Sequence, residues 1–461
     1  CLLHIYPGLQ LFFYNALKIM RYLRFLTLII ILFSLFSCGK ESGTEQDFSS
    51  APEKIFVQNE RFQAFLEQRA IDSYLDSFSL KQKLSQLFII NLEGSSNYTA
   101  RQDYNELFCP GGFIFFSYNI GKTAETLMGF TDSILDYYKR DIPPFLSLDL
   151  EGGEVNRLRN IISPLPSAEE ISQLFTAEEA ALFYKEIAKQ SHLLGISLNL
   201  APIVEPLLEE NAAFLKTRSF GSIEKTKFFS LAFIESFNSE GVLCTLKHFP
   251  GNTDVDPHLN LPVIALNEED FEKNMLAPFR FVLENQKNKN AVLLSHALIP
   301  FISDLPASLS SEVVDLLVKD LDYSGLIITD DIFMAALKSF FPEEKDAILL
   351  ALDAGAHILL SSKKVFTQFL PFLEEIYTTE TVYKEKIDIA LQRIIRAKIE
   401  AGLLGFSERE SWSSLCLLKG NTSTSIDKID QIDRKERERL FYEAKKNASE
   451  ILSEAYQNNF F

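Results

Sequence analysis

The feature that most constrains the fold is a series of eight short apolar runs separated by segments with helical spacing, such as AEEAALFYKEIAKQSHLLG. Each run is nearly continuous in apolar residues, as in strands buried on both faces. The runs are QLFIINL (86–92), GGFIFF (111–116), FLSLDLE (145–151), SLNLAPI (197–203), LCTLKHF (243–249), AVLLSHA (291–297), GLIITDD (325–331) and HILLSS (357–362). Eight strand–helix units predict a (β/α)₈ TIM barrel, with an open doubly wound sheet as the alternative.

Polar side chains stand at the ends of four of these runs. They are Asp149 and Glu151 after the third run, Lys247 and His248 after the fifth, His296 after the sixth, and Asp330 and Asp331 after the seventh. Because the C-terminal ends of barrel strands meet on one rim, where barrel enzymes have their active sites, we predict an active site there.

The stretch KHFPGNTDVDPHLNLP (247–262) holds two of the six histidines in the chain, beside two aspartates. Taken alone, such a loop is able to bind a metal, to transfer protons or to form a polar turn. A metal site would use His248, Asp254, Asp256 and His258.

Charge and cysteine content argue against a nucleic-acid partner, a zinc site and a disulfide framework. A net charge of −18 and an isoelectric point near 4.9 argue against nucleic acid, because phosphate binding needs a basic surface. The cysteines are scattered without a CxxC pair, which argues against a zinc site or a disulfide framework. They stand at Cys1, Cys38, Cys109, Cys244 and Cys416.

The N-terminal region predicts export and lipidation. Two arginines follow Met20, an apolar run covers 25–36, and LFSC ends at Cys38; this is the pattern of a signal peptide, and LFSC resembles the lipobox of bacterial lipoproteins. We therefore expect a signal peptide at 20–37 and an acylated Cys38, which would place the protein at a membrane of the bacterial cell envelope. An uncleaved anchor helix is the alternative.

The segments around this signal complete the expected domain organisation. Residues 1–19 contain no methionine, so we interpret them as upstream sequence outside the natural chain. Residues 38–55 are polar and without periodicity, as in a flexible tether. The barrel domain is expected at 56–406, followed by a short helical extension at 407–461 that packs on the barrel or on a partner.

The strand-end segments resemble those of glycoside hydrolase family 3, in particular its single-barrel β-N-acetylhexosaminidases. The resemblance runs from about residue 74 to 405. It rests on PGGFIFFSYN (110–119), LDLEGGEVNRL (148–158), LAPIVEP (200–206), RSFGS (218–222), KHFPG followed by DPH (247–258), LPASLSSE (305–312) and ITDDIFMAAL (328–337).

The resemblance implies a role for each matching residue. Asp330 aligns with the nucleophile, His258 with the proton donor and acceptor, and Asp256 with the acid that orients it. Sugar contacts are implied for Asp149, Arg157, Arg218, Lys247 and His248. In this pattern Asp331 supports Asp330, although it is the alternative nucleophile.

The chemistry of these residue types agrees with the implied roles. A retaining glycosidase needs a carboxylate to attack the anomeric carbon and a second group to protonate the leaving oxygen. A histidine suits the second task because its pKa lies near neutrality, and an aspartate two residues away is able to orient the ring. Neither task requires a metal or a cofactor.

The roles of some residues stay open. His296 either contacts substrate or satisfies a core hydrogen bond, and we interpret Asp254 as a solvated loop acid. The loop is about two residues shorter than the family pattern, with Asn252 after PG and Pro257 in place of serine; Glu154 stands where a basic residue is common.

We expect a retaining, exo-acting β-N-acetylglucosaminidase on cell-wall or chitin-like oligosaccharides. The alternatives are a β-glucosidase or sugar phosphorylase of the same fold, and a surface lipoprotein that binds glycans without cutting them. The sequence leaves the oligomeric state open.

Overall fold

The computed structural model describes residues 51–100, 108–286, 289–338, 340–341, 343–362, 367–408, 415–419 and 433–460. The region 1–19, the predicted signal peptide at 20–37, Cys38 and the tether up to residue 50 lie outside them. The chain divides into a first unit up to Gln63 and a second unit from Ala64, and the second unit contains the barrel. In the described part of the chain, no helix combines the length and apolarity needed to cross a membrane.

The strands of the described residues are short and mostly buried. In chain order they are β1 (Phe88–Asn91), β2 (Gly112–Ile114), β3 (Phe145–Leu148), β4 (Leu150–Gly152), β5 (Val155–Asn156), β6 (Leu198–Asn199), β7 (Leu243–Phe249), β8 (Ala291–Leu294), β9 (Leu326–Thr329), β10 (Leu359–Ser361), β11 (Leu404–Glu408) and β12 (Leu415–Lys419).

Eight of these strands form one parallel sheet in the order β10-β1-β2-β3-β6-β7-β8-β9. A parallel bridge between Ile328 and Ile358 joins the two ends of the sheet, so the strands enclose a barrel. Each barrel strand lies within one of the eight predicted runs, which confirms the predicted (β/α)₈ architecture. The paired strands are shorter than most of the runs, because several runs continue into the loops of the C-terminal rim.

Helices surround the barrel. They are α1 (Ala51–Asp76), α2 (Leu80–Ser85), α3 (Ala124–Tyr137), α4 (Ala168–Leu174), α5 (Ala177–Leu193), α6 (Ala212–Leu215), α7 (Ile223–Ser239), α8 (Glu268–Phe271), α9 (Ala277–Gln286), α10 (Ser311–Asp315), α11 (Glu344–Ala354), α12 (Leu370–Thr379), α13 (Thr381–Glu400) and α14 (Arg434–Phe460). Single π turns at Glu272–Leu276 and Leu316–Asp320 adjoin α9 and α10, and 3₁₀ turns lie at Ser117–Asn119, Lys216–Arg218, Ala307–Leu309, Ala335–Leu337 and Thr367–Phe369.

Local sequence signals explain where the longer helices begin and end. At the start of α5, the Thr176 hydroxyl accepts from the Glu179 N–H and the Glu179 carboxylate accepts from the Thr176 N–H, which is a capping box. At the end of α11, Gly355 adopts φ 103°, a left-handed conformation that favours glycine.

The core fills the barrel and the layer between its strands and helices. All seven residues of β7 are buried, as the apolar runs predicted. Phenylalanines occupy much of the outer layer; the rings of Phe233 and Phe237, for example, stack with centroids 4.4 Å apart. This packing holds the strand ends, and therefore the site residues, in fixed positions.

The C-terminal region contains more than the expected helix. Strands β11 and β12 form an antiparallel hairpin, which the sequence did not predict, and α14 then packs against the barrel helix α5. Phe441 is fully buried in this contact, and Arg437 donates to the Leu193 carbonyl and to Asp132, each at 2.6 Å. At the other end of the domain, residues 51–55 of the expected tether belong to α1.

Candidate active site

Five charged residues form a network at the bottom of the pocket, which we call the charged floor: Asp149, Glu151, Arg157, Arg218 and Lys247. The Lys247 ammonium, at the end of β7, lies 2.9 Å from an Asp149 oxygen and 2.6 Å from a Glu151 oxygen. Arg218 donates two hydrogen bonds to Glu151, at 2.8 and 2.9 Å, and Arg157 donates one to Asp149 at 3.3 Å. Both carboxylates follow β3, so their positions are set by the strand that also forms the barrel wall.

Burial and pairing act in opposite directions on these groups. Burial alone would raise the pKa of Asp149 and of Glu151. The Lys247 charge, together with Arg157 beside Asp149 and Arg218 beside Glu151, outweighs burial, so the pKa of each carboxyl lies below its usual value. Burial likewise opposes the charge on Lys247, while the two carboxylates raise its pKa. Because each charge is paired, the floor stays ionised and holds fixed donors and acceptors for a polar ligand.

A second buried pair holds His248. Its ring nitrogen Nδ1 lies 2.6 Å from Glu205, and its backbone N–H donates to the same carboxylate oxygen at 3.1 Å. The carboxylate assigns the proton to Nδ1, so Nε2 is the acceptor of the neutral ring. Glu205 follows β6 in LAPIVEP, a segment that the sequence singled out without giving this residue a role.

Residues 250–262 form a loop over the rim, which we call the dyad loop. His258 Nδ1 lies 2.8 Å from Asp256, and the His258 N–H donates to the same oxygen at 2.9 Å. Their side chains are 66% and 45% exposed. Partial burial acts to raise the pKa of Asp256, but the hydrogen bonds from His258 hold it below its usual value. Asp256 is therefore ionised at neutral pH and orients the imidazole.

Few bonds attach the dyad loop to the barrel. Asp254, expected to be only solvated, is exposed but accepts from the Ala213 N–H at 2.8 Å, and its own N–H donates to the Glu210 carbonyl at 2.7 Å. The Pro257 carbonyl accepts from the Ala336 N–H at 3.2 Å. These bonds place His258 above the pocket without burying it.

The two aspartates at the end of β9 have different surroundings. Asp331 accepts from the Phe333 N–H at 3.1 Å and from both the N–H and the hydroxyl of Ser362. One oxygen of Asp330 accepts from the Asp331 N–H at 2.8 Å; its second oxygen has no hydrogen-bond partner among the described residues. Asp331 is thus engaged in joining β9 to β10, whereas Asp330 retains a free oxygen at the pocket.

Of the two alternatives for His296, the structure shows the hydrogen-bonded core residue. It is fully buried, with Nδ1 2.7 Å from the Ser308 hydroxyl and Nε2 2.9 Å from the Asp331 carbonyl. The carbonyl requires a donor, so Nε2 carries the proton. Burial lowers the pKa of His296, and the ring supports the peptide of Asp331 as a neutral group.

One cavity of about 500 Å³ unites these features. Its lining contains all eight residues for which the sequence predicted catalytic or sugar-binding roles: Asp149, Arg157, Arg218, Lys247, His248, Asp256, His258 and Asp330. The structure brings them together; their individual roles stay predictions. Within the described ranges, no three His, Cys, Asp or Glu side chains converge as a metal site.

Several lining residues were not assigned from the sequence. Phe116 and Phe214 lie under guanidinium groups, with Arg157 5.7 Å and Arg218 5.3 Å from the ring centroids. Glu151, which the sequence marked only as a polar residue at a strand end, accepts two hydrogen bonds from Arg218. No periodic signal marks these side chains, because each faces the site through long-range packing of its loop.

Comparison with known proteins gives the family. Residues 79–397 match the model of the glycosyl hydrolase family 3 N-terminal domain. The chain belongs to glycoside hydrolase family 3. This membership confirms the resemblance to family 3 found in the sequence and the expected enzyme class, a glycoside hydrolase.

Two relatives of this chain are named β-hexosaminidases. Beta-hexosaminidase A of Pseudoalteromonas piscicida is 27% identical over 62% of this chain and 53% of its own length. The beta-hexosaminidase of Haemophilus influenzae is 30% identical over 54% of this chain and 71% of its own. The alignment therefore spans about half of the first relative and about seven-tenths of the second.

A solved family 3 structure shows the same fold. It is a β-N-acetylglucosaminidase from a Paenibacillus species, 26% identical, with a TM-score of 0.64 over 80% of this chain and 69% of that one. The agreement supports the barrel architecture of the family 3 enzyme described above.

Proposed function

We propose that this family 3 enzyme is an exo-acting, retaining β-N-acetylglucosaminidase that removes terminal N-acetylglucosamine from cell-wall or chitin-like oligosaccharides. The names of its relatives, β-hexosaminidase and β-N-acetylglucosaminidase, support the sugar. The residues of the 500 Å³ pocket support the reaction.

The observation on which the proposal rests is the difference between Asp330 and Asp331. A retaining mechanism needs one carboxylate that is free to form a bond with the anomeric carbon. Asp331 uses both oxygens for hydrogen bonds to Phe333 and Ser362. Asp330 also lines the cavity, with one oxygen held by a backbone N–H and the other without a hydrogen-bond partner among the described residues, which supports Asp330 as the nucleophile.

Asp330 and His258 share the work of two chemical steps. In the first, Asp330 attacks the anomeric carbon, the glycosidic C–O bond breaks, and His258 Nε2–H gives its proton to the leaving oxygen. In the second, His258 takes a proton from water, the water oxygen attacks the anomeric carbon, and the Asp330 carboxylate leaves. Asp256 binds Nδ1 and so keeps Nε2 available for both transfers. The charged floor and His248 hold the sugar hydroxyls and the acetamido group.

Trapping the covalent intermediate tests this assignment. A fluorinated, slowly turned-over N-acetylglucosaminide should add one sugar mass to the peptide that contains Asp330. Asp331→Asn, the matched control, should still be labelled, and Asp330→Asn should not. Labelling at Asp331 in the wild-type protein would overturn the choice of nucleophile.

Turnover of chromogenic substrates separates the alternatives. We expect release of 4-nitrophenol from the N-acetyl-β-glucosaminide, with little from the β-glucoside, at a rate independent of added phosphate. Preference for the β-glucoside or dependence on phosphate would favour the other enzyme classes. Binding of oligosaccharide without any release would favour a glycan-binding lipoprotein.

We also propose that Cys38 is acylated after removal of residues 20–37, which attaches the enzyme to a membrane of the cell envelope. The arginines, the apolar run and LFSC support this. The wild-type protein should fractionate with membranes and Cys38→Ala should not. An intact N-terminus and a cytoplasmic location for both would refute the anchor.

A further inference from the structure

A second cavity lies at the end of the barrel opposite the active site. Its volume is about 650 Å³, within the range of small-molecule sites. Leu243 and Leu326, the first residues of β7 and β9, line it together with Asn290, which precedes β8. One face of α13 forms the opposite wall. Because the strands start here, this cavity shares no residue with the active-site pocket.

The buried amide of Asn290 lacks a partner in this cavity. The Cys244 N–H donates to Asn238 Oδ1 at 3.3 Å, so Asn238 Nδ2 is the group that donates to Asn290 Oδ1 at 2.9 Å. This chain of bonds fixes the Asn290 amide with its oxygen occupied. The side chain is 3% exposed, and its Nδ2 has no partner within the described residues. A buried donor of this kind calls for an acceptor.

Two arginines of α13 add further donors. Arg393 donates to the Ser324 carbonyl, and Arg396 donates to Gln68 at 2.6 Å. In the part of the chain that the structure describes, neither guanidinium pairs with a carboxylate within ion-pair distance. Burial and then the adjacent Arg396 charge lower the pKa of Arg393. Two like charges therefore stand side by side, without a direct ion pair among the described residues.

The other charged residues of the lining leave the positive charges in excess. Lys289 adds a third cation, and Glu67 and Glu400 are the two acids of the lining. Burial first, and Glu67 in addition, raise the pKa of Glu400 against the effects of Lys289 and Arg396. A cation is disfavoured beside two arginines, whereas a group with acceptor oxygens satisfies the guanidiniums and the Asn290 amide together.

We propose that this cavity binds a small molecule through a phosphate-type oxyanion. Guanidinium groups match the oxygens of phosphate in a forked geometry. The Asn290 N–H₂ is enclosed in the wall of the cavity, so it becomes a neutral donor to a third oxygen when its side chain shifts on binding. The cavity is larger than free phosphate requires, so a phosphate monoester of a sugar-sized alcohol fits its volume better. Binding here stabilises the folded state because the unfolded chain has no such site.

Titration of the intact protein tests the site. The probes are inorganic phosphate and glucose 6-phosphate, at constant ionic strength, with glucose and chloride as controls. Thermal unfolding and calorimetry should show a rise in Tm and saturable binding with a phosphate compound only. Tighter binding of glucose 6-phosphate would assign a monoester site, and tighter binding of phosphate would assign the free anion.

Substitution of the arginines locates the binding. Each of Arg393→Gln and Arg396→Gln removes a charge-assisted contact and should weaken binding about 10- to 100-fold. Arg140→Gln removes one exposed positive charge elsewhere and should leave the affinity unchanged. Each variant is compared with its own Tm in the absence of ligand, so a change in basal stability does not enter the result.

Asn290→Ser removes the amide donor without adding a charge and should also weaken binding. Unchanged affinity in both arginine variants would place the phosphate elsewhere and overturn the proposal. If neither phosphate compound binds saturably, water satisfies Asn290 and the proposal is overturned.

Discussion

The charged floor and the dyad loop lie at the same end of the barrel but are built in opposite ways. In the floor, Lys247 is buried and contacts two carboxylates. In the loop, His258 and Asp256 are largely exposed and are held by a few hydrogen bonds. The difference agrees with the tasks that we propose for them: the floor would present one fixed pattern to the sugar, while the loop would let varied leaving groups enter and depart.

The largest expected effect is the loss of the floor's central cation. Lys247→Met leaves Asp149 and Glu151 buried without their main counter-ion, so the free energy of unfolding should fall by about 3–5 kcal/mol. Lys139→Met is the matched control, because Lys139 pairs with Asp136 at 3.0 Å on the surface and such pairs contribute at most about 1 kcal/mol. Urea denaturation of both variants measures the contrast. Equal, small losses would contradict a cooperative floor.

The pH dependence of stability should also separate the floor from the surface. Because the pKa values of Asp149 and Glu151 are lowered in the folded state, their stabilisation is complete above the unfolded values of about 4. It is lost as the pH falls through the folded pKa values. Lys247 acts in reverse: its raised pKa gives a contribution that is complete below about pH 10 and is lost as the pH rises through the folded pKa.

We therefore expect a plateau of stability from weakly acidic to alkaline pH, measured as the urea midpoint at each pH. Glu151→Gln should reduce the fall between about pH 5 and 3. The control is Glu209→Gln, because Glu209 is an exposed acid that takes no part in the charged floor. Its curve should run parallel to that of the wild type. An unchanged acid slope in Glu151→Gln would show that the floor does not set it.

The smallest effect should come from the attachment of the dyad loop. Asp254→Ala removes the bond to the Ala213 N–H and should lower the free energy of unfolding by about 1 kcal/mol. We expect kcat to fall about fivefold with little change in KM, because in the proposed mechanism the loop positions His258 and does not bind the sugar. Glu209→Ala, a nearby exposed acid, is the control. A rise in KM with kcat unchanged would place Asp254 in sugar binding.

The sequence predicted more of the barrel than of the site's support. Continuous apolar runs are a local signal, and all eight located a strand. The same runs located the site residues at their C-terminal ends, and the family motifs assigned roles to them. Glu205 was missed because its partner His248 is 43 residues away, and no local pattern reports such a contact. The hydrogen bonds between Arg218 and Glu151 were missed for the same reason, since these residues are 67 positions apart.

In the C-terminal region, the sequence predicted one element and missed another. Its charged segment predicted a helix correctly, since α14 spans Arg434–Phe460. The hairpin of β11 and β12 was not predicted, because each strand has only five residues and the pairing depends on the partner strand. Asp331 shows a third case, since its hydrogen bonds to Phe333 and Ser362, which no sequence pattern reports, distinguish it from the adjacent Asp330.

The dependence of rate on the leaving group tests most directly whether the loop and the floor have separate tasks. His258→Ala should slow aryl glycosides with poor leaving groups by about 100- to 10,000-fold and activated ones far less. His248→Asn keeps a donor toward Glu205 and should weaken turnover of both types to a similar extent, because the lost contact concerns the sugar. Equal losses for both leaving groups in His258→Ala would contradict the account and remove His258 from the role of proton donor.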